Sequence, residues 1–126
     1  VLDDRARGVF QGKIRVAPDA QKTDGTQMTR ALLLSHETEA DTKPELEIFA
    51  DDVVCSHGAT IGEIDEHQLF YLVSRGIPIM QARSMLIEAF LIGTLSQIRV
   101  PERESQVEYY IQDWISNSAQ MSVLDH

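Results

Sequence analysis

Along the first sixty residues, apolar and polar side chains alternate in short runs with turn chemistry between them. Phe10, Gly12, Ile14 and Val16 alternate with Val9, Gln11, Lys13 and Arg15. This period of two predicts a half-buried strand. Pro18-Asp19 and Thr23-Asp24-Gly25 supply turns. Ala31 to Leu34 is a continuous apolar run, which predicts a strand covered on both faces. The polar stretch from Ser35 to Pro44 reads as a loop. Leu46, Ile48 and Ala50 then alternate with Glu45, Glu47 and Phe49 in a second period-two strand. Asp51-Asp52 ends it, and Val53-Val54-Cys55 leads into the segment from His57 to Gly62. Strands recurring every 15 to 20 residues or so (roughly) suit a sandwich, a barrel or a β-solenoid. No strict sequence repeat chooses among them.

Beyond Gly62 the period changes. Asp65 followed by Gln68 is a loose capping box, and Gly76 is placed to stop the short helix between. Pro78 sits where a first helical residue belongs. Ile79 to Ile98 is apolar almost all round, with a thin polar face of Gln81, Arg83, Ser84, Glu88 and Gln97. Such a helix is either enclosed by its own fold or covered by a partner. Pro101 opens a third helix. There Val107, Tyr110, Ile111, Trp114 and Ile115 form an amphipathic stripe, and Glu102 and Glu104 complement the first turn. The polar end, Ser116 to Gln120, is expected to fray. The pattern therefore divides the chain into a strand-rich portion, 1–62, and a helical subdomain, 63–126.

Composition narrows the function. Eleven Lys and Arg against twenty Asp and Glu give a net charge of −9 over 126 residues. That excludes non-specific nucleic-acid binding and docking on anionic membranes, both of which need clustered cations. No apolar run is long enough for a membrane span. One cysteine rules out an internal disulfide and suits a reducing compartment, taken as the cytoplasm. The N-terminus is charged from its third residue and lacks Met, so the chain is expected to be a fragment or a processed product.

Cys55-Ser56-His57 is where thiol and imidazole come close in sequence. On a strand, residues two apart share a face, so sulfur and nitrogen are presented side by side. These are ligands for zinc or Fe–S species, but two donors do not complete a site. The plainer alternative is a buried structural thiol beside a hydrogen-bonded imidazole. A Cys-His nucleophile pair is the enzymatic alternative, but no family-type nucleophile signature surrounds Cys55. Asp51, Asp52, Glu63, Asp65 and Glu66 flank the segment and read as solvated or capping carboxylates. His36, His67 and His126 read as surface residues. No phosphate loop, Rossmann glycine pattern, HExxH or paired CxxC is present. Function therefore runs through partners.

The segment Ala50 to Gly62 and its continuation Asp65 to Ile77 closely resemble the SufB/SufD family of Fe–S cluster assembly scaffolds. Ala6 to Ile14, Ala20 to Asp24 and Leu32 to Ser35 resemble the same family, in the same order, so the likeness covers residues 3 to 98. The resemblance implies the end of a right-handed parallel β-helix followed by a C-terminal helical subdomain. It implies a scaffold without catalytic turnover, paired with a SufB-like chain and docked to a SufC-like ABC ATPase. The ATPase would meet the apolar helix, making Met85, Leu86, Phe90, Leu91 and Gly93 its candidate contacts. His57, with Cys55 beside it, would serve cluster assembly at the interface between scaffold chains. No intrinsic cofactor is implied, only transient iron or a nascent Fe–S cluster at that interface. Family members are much longer, so exposed strand edges and self-association through a truncated β-helix are expected. Gly93 stands where other members tend to carry charged or larger residues. The rival functions are a thiol-dependent enzyme using Cys55 and His57, and a plain interaction module that touches no metal.

Overall fold

The computed structural model describes residues 1–95 and 101–121. The chain divides into two compact units, Val1–Glu63 and Ile64–His126.

The first unit holds four strands of equal length: β1 (Arg7–Val16), β2 (Asp24–Leu33), β3 (Glu39–Ile48) and β4 (Val54–Glu63). They form two parallel pairs, β1 with β3 and β2 with β4. Arg7 lies opposite Glu39 and Val16 opposite Ile48, while Asp24 lies opposite Val54 and Leu33 opposite Glu63. β1 and β2 thus each pair with the strand two places on, so that β3 and β4 repeat β1 and β2 one strand spacing along.

Two local expectations fail here. The stretch expected as a loop from Ser35 to Pro44 is strand from Glu39 onward. Its outward positions are charged because they meet charges on β1. Arg7 bonds Asp41 at 2.5 Å and lies 3.4 Å from Glu39, and Lys13 reaches Glu47 at 2.7 Å and Glu45 at 3.4 Å. Opposite charges across neighbouring strands stabilise a sheet face modestly, and such a face looks like a loop in one dimension. The inward positions hold small or short residues, including Pro44 opposite Gly12. Likewise Asp24 and Gly25, expected in a turn, open β2. The turn is Pro18 to Thr23, closed by Ala20 N–H on the Ala17 carbonyl at 3.0 Å and Thr23 Oγ1 on the Ala20 carbonyl at 2.8 Å. It stacks on the next turn through Lys22 N–H to the Asp52 carbonyl (2.7 Å) and Asp52 N–H to Gln21 Oε1 (2.9 Å). The apolar run Ala31 to Leu34 is buried at Leu32 alone and half-buried at its other three positions. Val16, 2% exposed, and Ala50 complete the buried apolar residues described in this unit.

The second unit contains α1 (Glu66–Val73), α2 (Ile79–Leu95) and α3 (Pro101–Met121). Asp65 caps α1 as the sequence predicts, its Oδ1 accepting from His67 N–H at 2.8 Å and Gln68 N–H at 3.3 Å. Gly76 follows with φ +87°, the left-handed conformation that favours glycine after a helix. Pro78 is one place outside the helix it was expected to begin. Its carbonyl accepts from Ala82 N–H at 2.9 Å, the bond an N-cap residue makes. Ala82 and Ile87 are buried, Leu86, Phe90 and Leu91 half-buried, and Ile79, Met80, Met85 and Ile92 exposed. The all-round apolar helix is therefore covered on part of its circumference. On α3 the stripe holds at Ile111 and Ile115, both half-buried. Tyr110 departs from it, 69% exposed and edge-on to Tyr109 at 5.8 Å. The helix continues through the polar end expected to fray, with Ser116 Oγ on the Gln112 carbonyl at 2.8 Å. Gln97, Ile98, His126 and the side chains of Glu102 and Glu104 lie outside the described residues.

Candidate functional site

The inward face of the β2–β4 pair carries the donor atoms that the sequence singles out. A methyl group placed on Gly25 would touch Ile14 of β1 and Cys55 Sγ, each at 3.7 Å. Gly25 therefore points across to β1, and Cys55, its partner in register, points the same way. His57 is two residues further on the same strand and so shares that face. Its register partner is Gln27. This face of the β2–β4 pair thus carries two pairs side by side, Gly25 with Cys55 and Gln27 with His57. Cys55 is half-buried and His57 exposed. Their α-carbons stand roughly 6.6 Å apart at the usual strand rise.

Thiol and imidazole on one face are donors of the type that iron and Fe–S species accept. Among the described residues, no group of three or more His, Cys, Asp and Glu converges to hold a metal ion. The pair contributes to a site and does not complete one. The other candidates have structural duties. Lys22 pairs with Asp52, and Asp52 also holds the stacked turns. Glu63 lies 3.6 Å from His36 Nδ1, both exposed, and Asp65 caps α1. His67 supplies a capping N–H. These residues behave as the plain alternative expects.

Gln27 is the residue that sequence reasoning missed. Its side-chain amide lies directly on the Gly12 backbone: a methyl at Gly12 would be 2.6 Å from Nε2 and 2.7 Å from Oε1. Nε2 is buried and has no hydrogen-bond partner among the described residues. The signal was the odd-numbered series Gly25, Gln27, Thr29 and Ala31 in β2, whose polar members hide an inward face. An open hollow of about 180 Å³ lies beyond Gln27 along the strands, between Phe10, Thr29, Ala31 and Thr42.

On the second unit, the proposed partner contacts of α2 are unequal. Met85 is 41% exposed, whereas Leu86, Phe90 and Leu91 also pack within the unit. A methyl on Gly93 would meet no atom of the described residues within 4 Å. Phe70 and Tyr71 of α1 are exposed nearby in sequence, with the Arg75 guanidinium 3.4 Å from the Tyr71 ring centre. None of the described helices is long and apolar enough to cross a membrane.

Comparison with known proteins identifies the family. The family model described as the SufBD core domain of SUF-system FeS cluster assembly matches residues 1–90. The iron–sulfur cluster assembly protein SufD of Escherichia coli is 49% identical over 107 residues, covering 85% of this chain and 25% of that protein. A SufBD-family iron–sulfur cluster assembly protein of Synechocystis is 47% identical over 98 residues, covering 78% and 22%. Protein ABCI7, chloroplastic, of Arabidopsis thaliana is 44% identical over 104 residues, covering 82% and 22%. The chain spans about a quarter of the length of the curated relatives it matches.

Proposed function

The chain is a SufD-like member of the SufB/SufD family of SUF-system proteins, and from that premise we propose that it is the C-terminal part of a non-catalytic scaffold for Fe–S cluster assembly. Membership of the family gives it a role in cluster assembly; the specific architecture and partners are the reading developed here. β1 and β2 form one rung, and β3 and β4 the next, of a right-handed parallel β-helix. The repeat, about 30 residues per turn of chain, lies in the range of solenoid repeats, and each strand stacks on the strand two places on. The unit 1–62 is the solenoid end and 63–126 the helical subdomain.

The observation that carries the reading is the Cys55–His57 face within a chain 49% identical to SufD over most of its length. An exposed imidazole beside a half-buried thiol offers a nitrogen and a sulfur donor to iron or a nascent cluster, which is cargo here. A SufB-like chain across the interface supplies the remaining ligands. A thiol-dependent enzyme is the weaker reading, because Cys55 sits half-buried beside Gly25. The helical unit receives a SufC-like ABC ATPase on α2, and ATP-driven motion of that partner alters the scaffold interface. Met85 is the exposed candidate at the centre of that surface, flanked by Leu86, Phe90, Leu91 and Gly93. The unpaired edges of the four strands also favour association with further strands, including those of a second copy. Within its compartment, taken as the cytoplasm, the chain works without nucleic acid or membrane.

Copurification with a SufB-like chain and a SufC-like ATPase tests the partner assignment. Met85→Asp keeps the helical circular dichroism and loses the ATPase. Equal capture of the ATPase by both forms overturns the α2 surface as its dock.

A further inference from the structure

We propose that Pro44 closes the outer edge of β3 to an added strand, so that a partner chain extends this unit along β4. The partner is the SufB-like chain proposed above, and that assignment rests on the reading given there. Along a strand, the N–H and carbonyl of one residue point to one side and those of the next residue to the other. Glu39 N–H donates to the Ala6 carbonyl at 3.1 Å and Phe49 N–H to the Val16 carbonyl at 2.9 Å, and the register between them is unbroken. The odd-numbered residues of β3 therefore face β1. Ala40, Thr42, Pro44, Leu46 and Ile48 face the opposite edge, on which no described strand pairs. Val54 N–H donates to the Thr23 carbonyl at 2.9 Å. By the same alternation, Cys55, His57, Ala59, Ile61 and Glu63 face the outer edge of β4.

The two edges are therefore unequal. β4 offers an N–H at every second residue without interruption. On β3 the middle donor is missing, because proline has no N–H and its ring stands where a neighbouring strand would approach. The donors on either side of it, Thr42 and Leu46, are about 13 Å apart at the usual strand rise. Exposure runs the same way. His57, Ala59, Ile61 and Glu63 are exposed, whereas Ala40, Thr42, Pro44 and Leu46 are half-buried. A strand added along β4 lies about 4.8 Å away, with one of its inward side chains in register beside His57. From that position a second chain supplies a donor to cargo held by His57. Pro44 thus steers the added strand to the side of the unit that carries Cys55 and His57.

The first test is sedimentation velocity of the full chain, with no partner and no metal. Pro44→Thr restores the donor with a strand-forming residue. It should raise the self-association constant about fivefold or more, the equivalent of one net hydrogen bond of about 1 kcal/mol. An unchanged constant overturns the closure of β3 by Pro44. The second test is copurification with a SufB-like chain. Thr42→Pro removes a further donor from the β3 edge and should leave capture within about twofold, the scale of a substitution away from the contact. Ala59→Pro removes the middle donor of the β4 edge and should lower capture about fivefold or more, with circular dichroism unchanged. Equal losses in the two variants, or full capture by a folded Ala59→Pro chain, overturn the assignment to β4. Should Ala59→Pro misfold, hydrogen exchange on the unsubstituted complex decides. Protection gained at the His57 and Ala59 amides, and not at those of Thr42 and Leu46, is the expected result, and the reverse pattern overturns it. An unsubstituted chain that captures no SufB-like chain removes the partner from the functional reading, while the sedimentation result still judges Pro44.

Discussion

Gly12→Ala is the most informative single substitution in the strand unit. The new methyl would sit 2.6 Å from Gln27 Nε2, 2.7 Å from Oε1 and 2.8 Å from Cδ. Ordinary contacts between carbon and such atoms are near 3.5 Å, so the amide must retreat by roughly 0.7 Å or more. A shift that size forces a rotamer change or an off-rotamer angle costing about 0.5–1.5 kcal/mol. Overpacking of a filled site usually costs about 1–3 kcal/mol. Gln27 ends in a flexible amide rather than backbone, which places the expected loss at about 1–2 kcal/mol, near the lower end. In a unit this small, each kcal/mol moves the midpoint of thermal unfolding by about 4–8 °C. Urea unfolding of the four forms in a double-mutant cycle with Gln27→Ala reads the cause directly. With Gln27 truncated, the methyl at position 12 has room, and the cost of Gly12→Ala should nearly vanish. The coupling between the two sites should therefore approach the full cost of the single change, within the range of about 0.5–3 kcal/mol found for contacting residues. Additive effects would refute the reasoning, because the cost would then not come from the amide.

Two further outcomes follow from the local chemistry. Asp65→Ala leaves the His67 and Gln68 amides without their shared acceptor; it should lower stability by about 1 kcal/mol, and Asp65→Asn should recover most of it in the same urea titration. The Lys43 ammonium, and then that of Lys13, hold the Glu45 carboxyl below the ordinary carboxylate range. A depressed folded value contributes stability above the unfolded carboxylate pKa and loses it as pH falls through the lower folded value. Acid unfolding should therefore begin at higher pH in the absence of either lysine (Lys43→Met or Lys13→Met), by a small margin that added salt removes, since the group is exposed. An acid limb that ignores both lysines and salt would count against this ion-pair face.

How far the fold could be read from the sequence depended on what each face of an element meets. β1 was legible because Ile14 and Val16 face a core while Lys13 and Arg15 face water. The first half of β3 was not, because its outward charges answer Arg7 and Lys13 from a distant segment, and a pairing partner leaves no local trace. The repeat was hidden in the same way: stacking requires matching shapes between Gly12 and Pro44, or between Gln27 and His57, and not matching residues. The start of α1 was legible from Asp65 and its stop from Gly76, since caps are local devices. Circumferential burial of α2 was not, since it depends on what α1 and α3 cover. At the candidate site, Cys55 and His57 announced themselves by residue type and spacing. Gln27 did not, because an isolated glutamine in an alternating strand looks solvated until its neighbours across the sheet and across the interior are known.

Participation of His57 in cluster assembly is the central claim. The measurement is the visible absorption of Fe–S clusters formed by the complete scaffold–ATPase complex carrying the unsubstituted chain, His57→Ala or Cys55→Ser. Each variant is first shown to assemble with its partners. The account predicts that His57→Ala assembles normally as a protein complex and forms clusters at least tenfold more slowly, the scale on which losing a metal-site group acts (about 10–100-fold). A His57→Ala complex that builds clusters at the unsubstituted rate would contradict it.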